Sequence, residues 1–227
     1  GSFQVEFIRV AHSVVDGCAL AIRSPEGVVV HSGDFKLDQT PVDGEVTDLG
    51  TFARYGDQGV LALLSDSTNV EREGYTISER YVGEALGDLF PKCKGRIIVA
   101  AFSSNIHRVQ QVADVAAASG RKVLLNGRSM VNNVRIARNL GYLTISDDLL
   151  MDIRELNHLP PEQVCIISTG SQGEPMSALV RIAMDDHKQI KLEKGDTVIL
   201  SSRNIPGNER TISKLINHLY RRGADVH

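Results

Sequence analysis

Arg96 to Asn105 reads RIIVAAFSSN, and Ile106 to Gly120 follows as IHRVQQVADVAAASG. The first stretch is a short apolar run rich in β-branched residues that breaks into Phe102-Ser103-Ser104-Asn105. It predicts a buried strand from Arg96 to Ala101, a polar turn, and a helix from Ile106 to Ser119 closed by Gly120. The same unit recurs downstream. Lys122 to Leu125 leads through Asn126-Gly127-Arg128-Ser129 to a helix from Met130 to Leu140. Val164 to Ile167 leads through Ser168-Thr169-Gly170-Ser171-Gln172-Gly173-Glu174 to a helix near Ser177 to Met184. Thr197 to Leu200 leads through Ser201-Ser202-Arg203-Asn204 to a helix from Glu209 to Arg222. Four strand-loop-helix units predict an α/β fold with a parallel, Rossmann-like sheet flanked by helices on both faces.

Each loop sits between the C-terminal end of a strand and the start of a helix, where an open α/β sheet gathers its ligand. Free backbone N–H groups and the positive helix end suit an anion there, and Arg128 and Arg203 add charge. For a single loop, serine and asparagine as helix caps explain the composition better. Four such loops on one edge favour a phosphate or nucleotide site. The Gly170-Ser171-Gln172-Gly173 run matches neither a P-loop nor a dinucleotide fingerprint, which argues against ATP and NAD.

The first third reads differently. Gln4 to Val10 alternates apolar and polar residues as a strand does, and His12 lies just beyond it. Cys18 to Ile22 is a second strand and Pro25-Glu26-Gly27 a turn. Val28-Val29-Val30 is a third strand, broken at Ser32-Gly33 so that Asp34 falls at a strand end. A carboxylate so placed can hold a divalent metal, orient a histidine, or cap the next turn. His12 is read either as a metal ligand or as a half-buried structural histidine, and His31 as structural. Thr47 to Gly59 contains a short helix, Val60 to Leu64 a strand, and Ser78 to Phe90 a helix stopped by Pro91.

At 227 residues, 42% hydrophobic and 23% charged, the chain has the composition of a folded globular protein of one large or two modest domains. No apolar run approaches a membrane span. Cys18, Cys93 and Cys165 stand far apart, which argues against a cysteine zinc site and fits a reducing cytoplasm. The net charge of −3 gives no global pull towards nucleic acid, so such binding would need a local site. Gly1-Ser2 reads as a remnant of expression cloning.

His12-Ser13-x-x-Asp16, His31-Ser32-Gly33-Asp34-Phe35-Lys36-x-Asp38 and Ser65-Asp66-Ser67-Thr68-Asn69-Val70-Glu71-Arg72-Glu73-Gly74 resemble the ribonuclease J family. In that family a metallo-β-lactamase fold carries an inserted β-CASP domain. Phe102 to Gln111, Ser168 to Leu179 and Ser201 to Glu209 resemble it too. The resemblance implies a partial metallo-β-lactamase segment over residues 1–77 and a β-CASP domain over 78–227. It implies zinc ligands at His12 and Asp34, with manganese or magnesium as alternatives. Asp66 would be the catalytic carboxylate that orients a histidine acid. Ser103, Ser104, His107, Ser171, Ser202, Arg203 and His227 would contact RNA.

The implied partner is single-stranded RNA with a 5′ monophosphate, cut by a cytoplasmic, homo-oligomeric exo- and endoribonuclease that is not bound to a membrane. Two metals about 4 Å apart suit phosphodiester cleavage by activating water and polarising phosphate. The family's HxHxDH motif has no match in this chain, and its final HxSGH motif is matched only by His227. The expectation is therefore a chain cut at both ends and catalytically silent by itself. A non-catalytic RNA- or phosphate-binding module, and a β-CASP nuclease acting on DNA, are the other readings.

Overall fold

The computed structural model describes residues 2–227, so Gly1 of the opening dipeptide lies outside the described residues. The chain divides into two compact units, Gly1–Val82 and Gly83–His227, the division falling within a helix, α2, at Arg80–Leu89.

The first unit is built on a four-stranded sheet of β1 (Gln4–Arg9), β2 (Cys18–Ser24), β3 (Gly27–His31) and β4 (Ala62–Leu64), in that order. β1 to β3 form an antiparallel meander, whereas β4 joins β3 in parallel, with Val29 opposite Ala62. Successive strand residues point to opposite faces. One face buries Ile8, Ala19, Ala21, Val28 and Val30 against Tyr55 of helix α1 (Leu49–Gln58), with Phe35 and Phe52 at its margin. α1 starts where the Asp48 side chain accepts from the Thr51 N–H at 3.0 Å. The other face leaves Phe7 71% and Val5 48% exposed.

In the second unit every strand is parallel. β5 (Ile97–Ala100) is followed by α3 (Ile106–Ala118), β6 (Lys122–Asn126), α4 (Arg128–Asn139), β7 (Val164–Ser168), α5 (Ala178–Ala183), β8 (Thr197–Leu200), α6 (Glu209–Arg221) and β9 (Asp225–Val226). The sheet order is β6-β7-β5-β8-β9, so β5 lies in the middle. Ile98, Ala100, Leu124, Ile166 and Val198 pack against Leu179 and Ile182 of α5 and Leu215 and Leu219 of α6. The alternate residues Ile97, Val99, Val123 and Ile167 are fully buried on the opposite face. There α3 lies over β6 and β7 and against α4. Helices thus cover both faces, as the four repeated units predict, which is why the central strands are apolar throughout.

Differences from expectation are local. α5 is shorter than Ser177 to Met184, because Asp185 turns into the left-handed region at φ 64 directly after Met184 caps it. α4 starts earlier, at Arg128, with Gly127 as its cap at φ 106. A bridge between Val123 and Leu150 extends the pairing beyond β6 on its outer side.

Candidate functional site

A parallel sheet brings the C-terminal ends of its strands to one edge. Here that edge carries the loops after β5, β6, β7 and β8, and His227 just after β9. The loop after β5 is shaped by Asn105, which caps α3 by accepting from the Arg108 N–H at 3.1 Å. Asn133 of α4 donates to the Ser103 carbonyl at 2.9 Å and lies 3.3 Å from its hydroxyl. Ser104 is exposed and His107 half-buried on the first turn of α3.

The loop after β7 is the most tightly built. Gly170 has φ +110, and a Cβ there would fall 2.4 Å from the Ser177 Oγ, so only glycine fits. Ser171 is 2% exposed. The hydroxyls of Ser171 and Ser177 are both buried with no hydrogen-bond partner among the described residues. Such groups carry a desolvation cost unless something satisfies them.

Gln172, also 2% exposed, turns inward. Its Nε2 donates to the Ser202 Oγ at 2.8 Å and to the Arg203 carbonyl at 2.9 Å. Its Oε1 accepts from the Ile205 N–H at 2.9 Å. The buried Arg108 guanidinium donates to the Ser201 carbonyl at 2.9 Å and to the Ser201 hydroxyl.

Beside this edge, His187 is buried with its Nε2 3.2 Å from the Asn126 Oδ1, while its Nδ1 accepts from the Ile190 N–H at 3.0 Å. That acceptor role puts the ring proton on Nε2, so Asn126 receives it. Burial holds the His187 pKa below the usual histidine value, with Arg181 and Lys191 acting the same way and Asp186 opposing.

All the residues expected to contact RNA thus lie along this edge, in different states. Ser104 and Arg203 are exposed. Ser103 and Ser202 already have protein partners. His227 is fixed by backbone pairing to Val198 and Leu200, with its Nε2 3.1 Å from Asp225 Oδ2. Gln172, Arg108, Asn126 and His187 were not singled out from the sequence for a role here. The Gly-Ser-Gln-Gly run marks a tight loop, but nothing local says which of its side chains turns inward.

In the first unit the segments carrying His12, Asp34 and Asp66 are hydrogen-bonded neighbours. Lys36 N–H donates to the Ala11 carbonyl at 2.7 Å, which sets the segment holding Asp34 beside the one holding His12. Asp66 N–H donates to the Ser32 Oγ at 2.8 Å. The Asp66 carboxylate accepts from the Thr68 hydroxyl at 2.6 Å and its N–H at 2.9 Å. The Thr68 hydroxyl, then its N–H, pulls the Asp66 pKa below the usual carboxylate value against the opposing effect of burial. The Phe35 N–H and the nearby His12 add to this. Asp66 is therefore an anion at neutral pH, fit to hold an imidazole and unfit to donate a proton.

Asp34 is exposed, placed by Gly33 at φ +61, where a Cβ would lie 2.8 Å from the Cys18 carbonyl. His12 is half-buried, its Nδ1 3.4 Å from the Ser13 Oγ. Among the described residues no group of three or more His, Cys, Asp or Glu is arranged to hold a metal ion. His12, Asp34 and Asp66 do not on their own fit a zinc pair.

No helix of the described residues is long and apolar enough to cross a membrane. The three cysteines are free, and burial pushes the Cys165 thiol up to about 12.

Comparison with known proteins fits this architecture. A solved structure of a protein of unknown function from Enterococcus faecalis matches the whole chain and 52% of its own length with a TM-score of 0.63 at 15% identity, a likeness of fold. Ribonuclease J of Synechocystis is 48% identical over 99% of this chain and 35% of the relative. Ribonuclease J of Thermus thermophilus is 47% identical over 99% of this chain and 39% of the relative. For ribonuclease J of Mycolicibacterium smegmatis the figures are 48%, 100% and 40%. The chain thus spans between a third and two fifths of the length of these curated relatives. Residues 94–219 match the model of the ribonuclease J β-CASP domain, a range that runs from before β5 through β8 and most of α6 and takes in the loops after β5, β6, β7 and β8. By that match the chain belongs to the ribonuclease J family.

Proposed function

We propose that the chain is the RNA-holding part of a metal-dependent ribonuclease that takes single-stranded RNA by a 5′ monophosphate. The observation that carries this reading is the loop edge of the second unit. Ser171 offers a buried hydroxyl with no partner among the described residues, and the exposed Arg203 stands on the loop that Gln172 binds. A phosphate at such an edge would accept from hydroxyl and backbone donors, and an arginine could grip it bidentately. The relatives are named as ribonucleases, which supports RNA over a small phosphoester.

Zinc dependence, combined exo- and endonuclease action, a cytoplasmic setting and a homo-oligomeric whole protein belong to the same proposal, resting on the family likeness. In it Asp66 steadies a histidine that gives a proton to the leaving group, a role its anionic state suits. Because His12, Asp34 and Asp66 do not suffice for a zinc pair, the chain by itself is expected not to cleave RNA.

The test is binding of a short 5′-phosphorylated RNA against its 5′-hydroxyl and DNA counterparts by fluorescence anisotropy. Tighter binding of the phosphorylated RNA, weakened by Arg203→Ala, supports the reading. Equal binding of the three oligonucleotides, or none, refutes it. Metal-dependent cleavage at enzymatic rates by the chain alone refutes its silence.

A further inference from the structure

The geometry points to Gln172 as a positioning residue that sets the loop after β8 for RNA, an inference that rests on the RNA reading above. β7 and β8 are not neighbours, since β5 lies between them. Gln172 nonetheless reaches from the β7 loop to the β8 loop across the end of β5. Its amide is satisfied on both sides. Nε2–H donates to Ser202 Oγ and to the Arg203 carbonyl, while Oε1 accepts from Ile205 N–H and faces Asn208 Nδ2 at 3.5 Å. The Gln172 backbone is held as well, with its carbonyl accepting from the Thr211 hydroxyl at 3.0 Å and its N–H donating to Glu174 at 3.1 Å.

Further bonds within this loop are local, the Asn208 N–H donating to the Ile205 carbonyl at 3.0 Å and the Gly207 N–H to the Glu209 carboxylate at 2.9 Å. Arg203, Asn204, Ile205, Pro206 and Gly207 are exposed and belong to no helix or strand. At its root Arg108 donates to Ser201. The β8 loop is therefore tied to α3 through Arg108 at its root and to the β7 loop through Gln172, which holds its middle. Only an amide supplies both polarities at this point. Glutamate would set a second acceptor against the Arg203 carbonyl, and leucine would leave that carbonyl and the Ile205 N–H unpaired. Gln172 does not itself offer a free atom to RNA. It acts by holding Ser202 and the backbone of Arg203 in one arrangement before the ligand arrives, which spares the ordering cost on binding.

The experiment uses the 227-residue chain with Gln172→Leu and, as a shape-conserving second variant, Gln172→Glu. Hydrogen exchange reports the amides of residues 202–208, and anisotropy reports a short 5′-phosphorylated RNA and its 5′-hydroxyl twin. The expected result is faster exchange at Ile205 and its neighbours with the β5 and β8 amides unchanged. Affinity for the phosphorylated RNA should fall on the order of tenfold in both variants, with loss of the preference for the 5′ phosphate. Unaltered affinity and preference in both variants overturn the positioning role. Failure of the unsubstituted chain to bind RNA overturns the RNA reading instead, and the two failures are distinguished by that control.

Discussion

Arg96 and Asp196 form a buried, two-pronged ion pair at the N-terminal edge of the parallel sheet. Arg96 Nε donates to Asp196 Oδ1 at 2.9 Å and Nη2 to Oδ2 at 2.6 Å. They directly precede β5 and β8, and the pair joins the starts of these strands at the edge opposite the loops. Arg96 also donates to the Lys191 carbonyl at 2.7 Å, and Asp196 accepts from the Glu193 N–H at 2.8 Å. Removing Asp196 takes away both short bonds to the buried Arg96 guanidinium and leaves its charge to the exposed Glu193, 3.3 Å from Nη1. Asp196→Ala is therefore expected to lower stability by about 3–5 kcal/mol in urea unfolding. The double replacement Arg96→Met with Asp196→Leu should cost much less. A loss under about 1 kcal/mol for Asp196→Ala would show that the pair is not the fastening described.

His187 predicts an acid-side loss of stability. Its folded pKa is depressed, so the unfolded chain takes up its proton first as the pH falls. The contribution is complete above the ordinary histidine pKa of about 6.5 and is lost as the pH falls through and below it, towards the folded value. Protonation also removes the Nδ1 acceptor that serves the Ile190 N–H. His187→Gln should remove this part of the pH dependence, so the gap between the two chains narrows from neutral towards pH about 5. A constant gap across that range would contradict the depressed pKa.

Metal content is a separate check on the first unit. After purification without chelators, elemental mass spectrometry of the chain alone is expected to find well under one zinc or manganese per chain. The reason is that among the described residues no group of three or more His, Cys, Asp or Glu, that of His12, Asp34 and Asp66 included, is arranged to hold a metal ion. About two metals per chain would mean that ligands come from a second copy or from an arrangement unlike the present one.

Phe7 governs a fourth expectation. It stands 71% exposed on β1, an edge strand, beside the exposed Val5. Edge strands with apolar surface pair readily with other chains. Light scattering should show an apparent mass that rises with concentration, and Phe7→Glu should hold it near that of one chain. Concentration-independent mass for the unsubstituted chain would sink the idea.

Much of this molecule was legible from local signals. β8 matches Thr197 to Leu200, and the sheet with helices on both faces follows from four apolar runs each breaking into a polar loop. The strand-end positions of His12, Asp34 and Asp66 were legible from the strand breaks, and the segments that carry them are hydrogen-bonded to one another without forming a group that could hold a metal ion among the described residues. What stayed hidden depends on distant partners. Gln172 matters because Ser202, Arg203 and Ile205 come back to it, and Arg108 because Ser201 does. Asn126 has the composition of a helix cap, but it meets His187 and leaves capping of α4 to Gly127. Ser103 and Ser202 carry the residue types of an open anion site, whereas both already bond to side chains of their own unit.

The place of β5 in the sheet has a consequence for how the chain reaches this state. The central strand is the first of its sheet to be made, yet Ile97 must wait for Cys165 on one side and for Thr197 on the other. Neither is its sequence neighbour, β6, which pairs with β7 instead. Closing such long loops before any pairing is gained makes folding slow relative to a helical protein of equal size. Until β8 arrives, the most apolar strand of the domain has an open edge, and the Arg96–Asp196 pair can form only when that edge closes. A nascent chain halted before Leu200 would therefore present its core strand, rather than its surface, to whatever it meets.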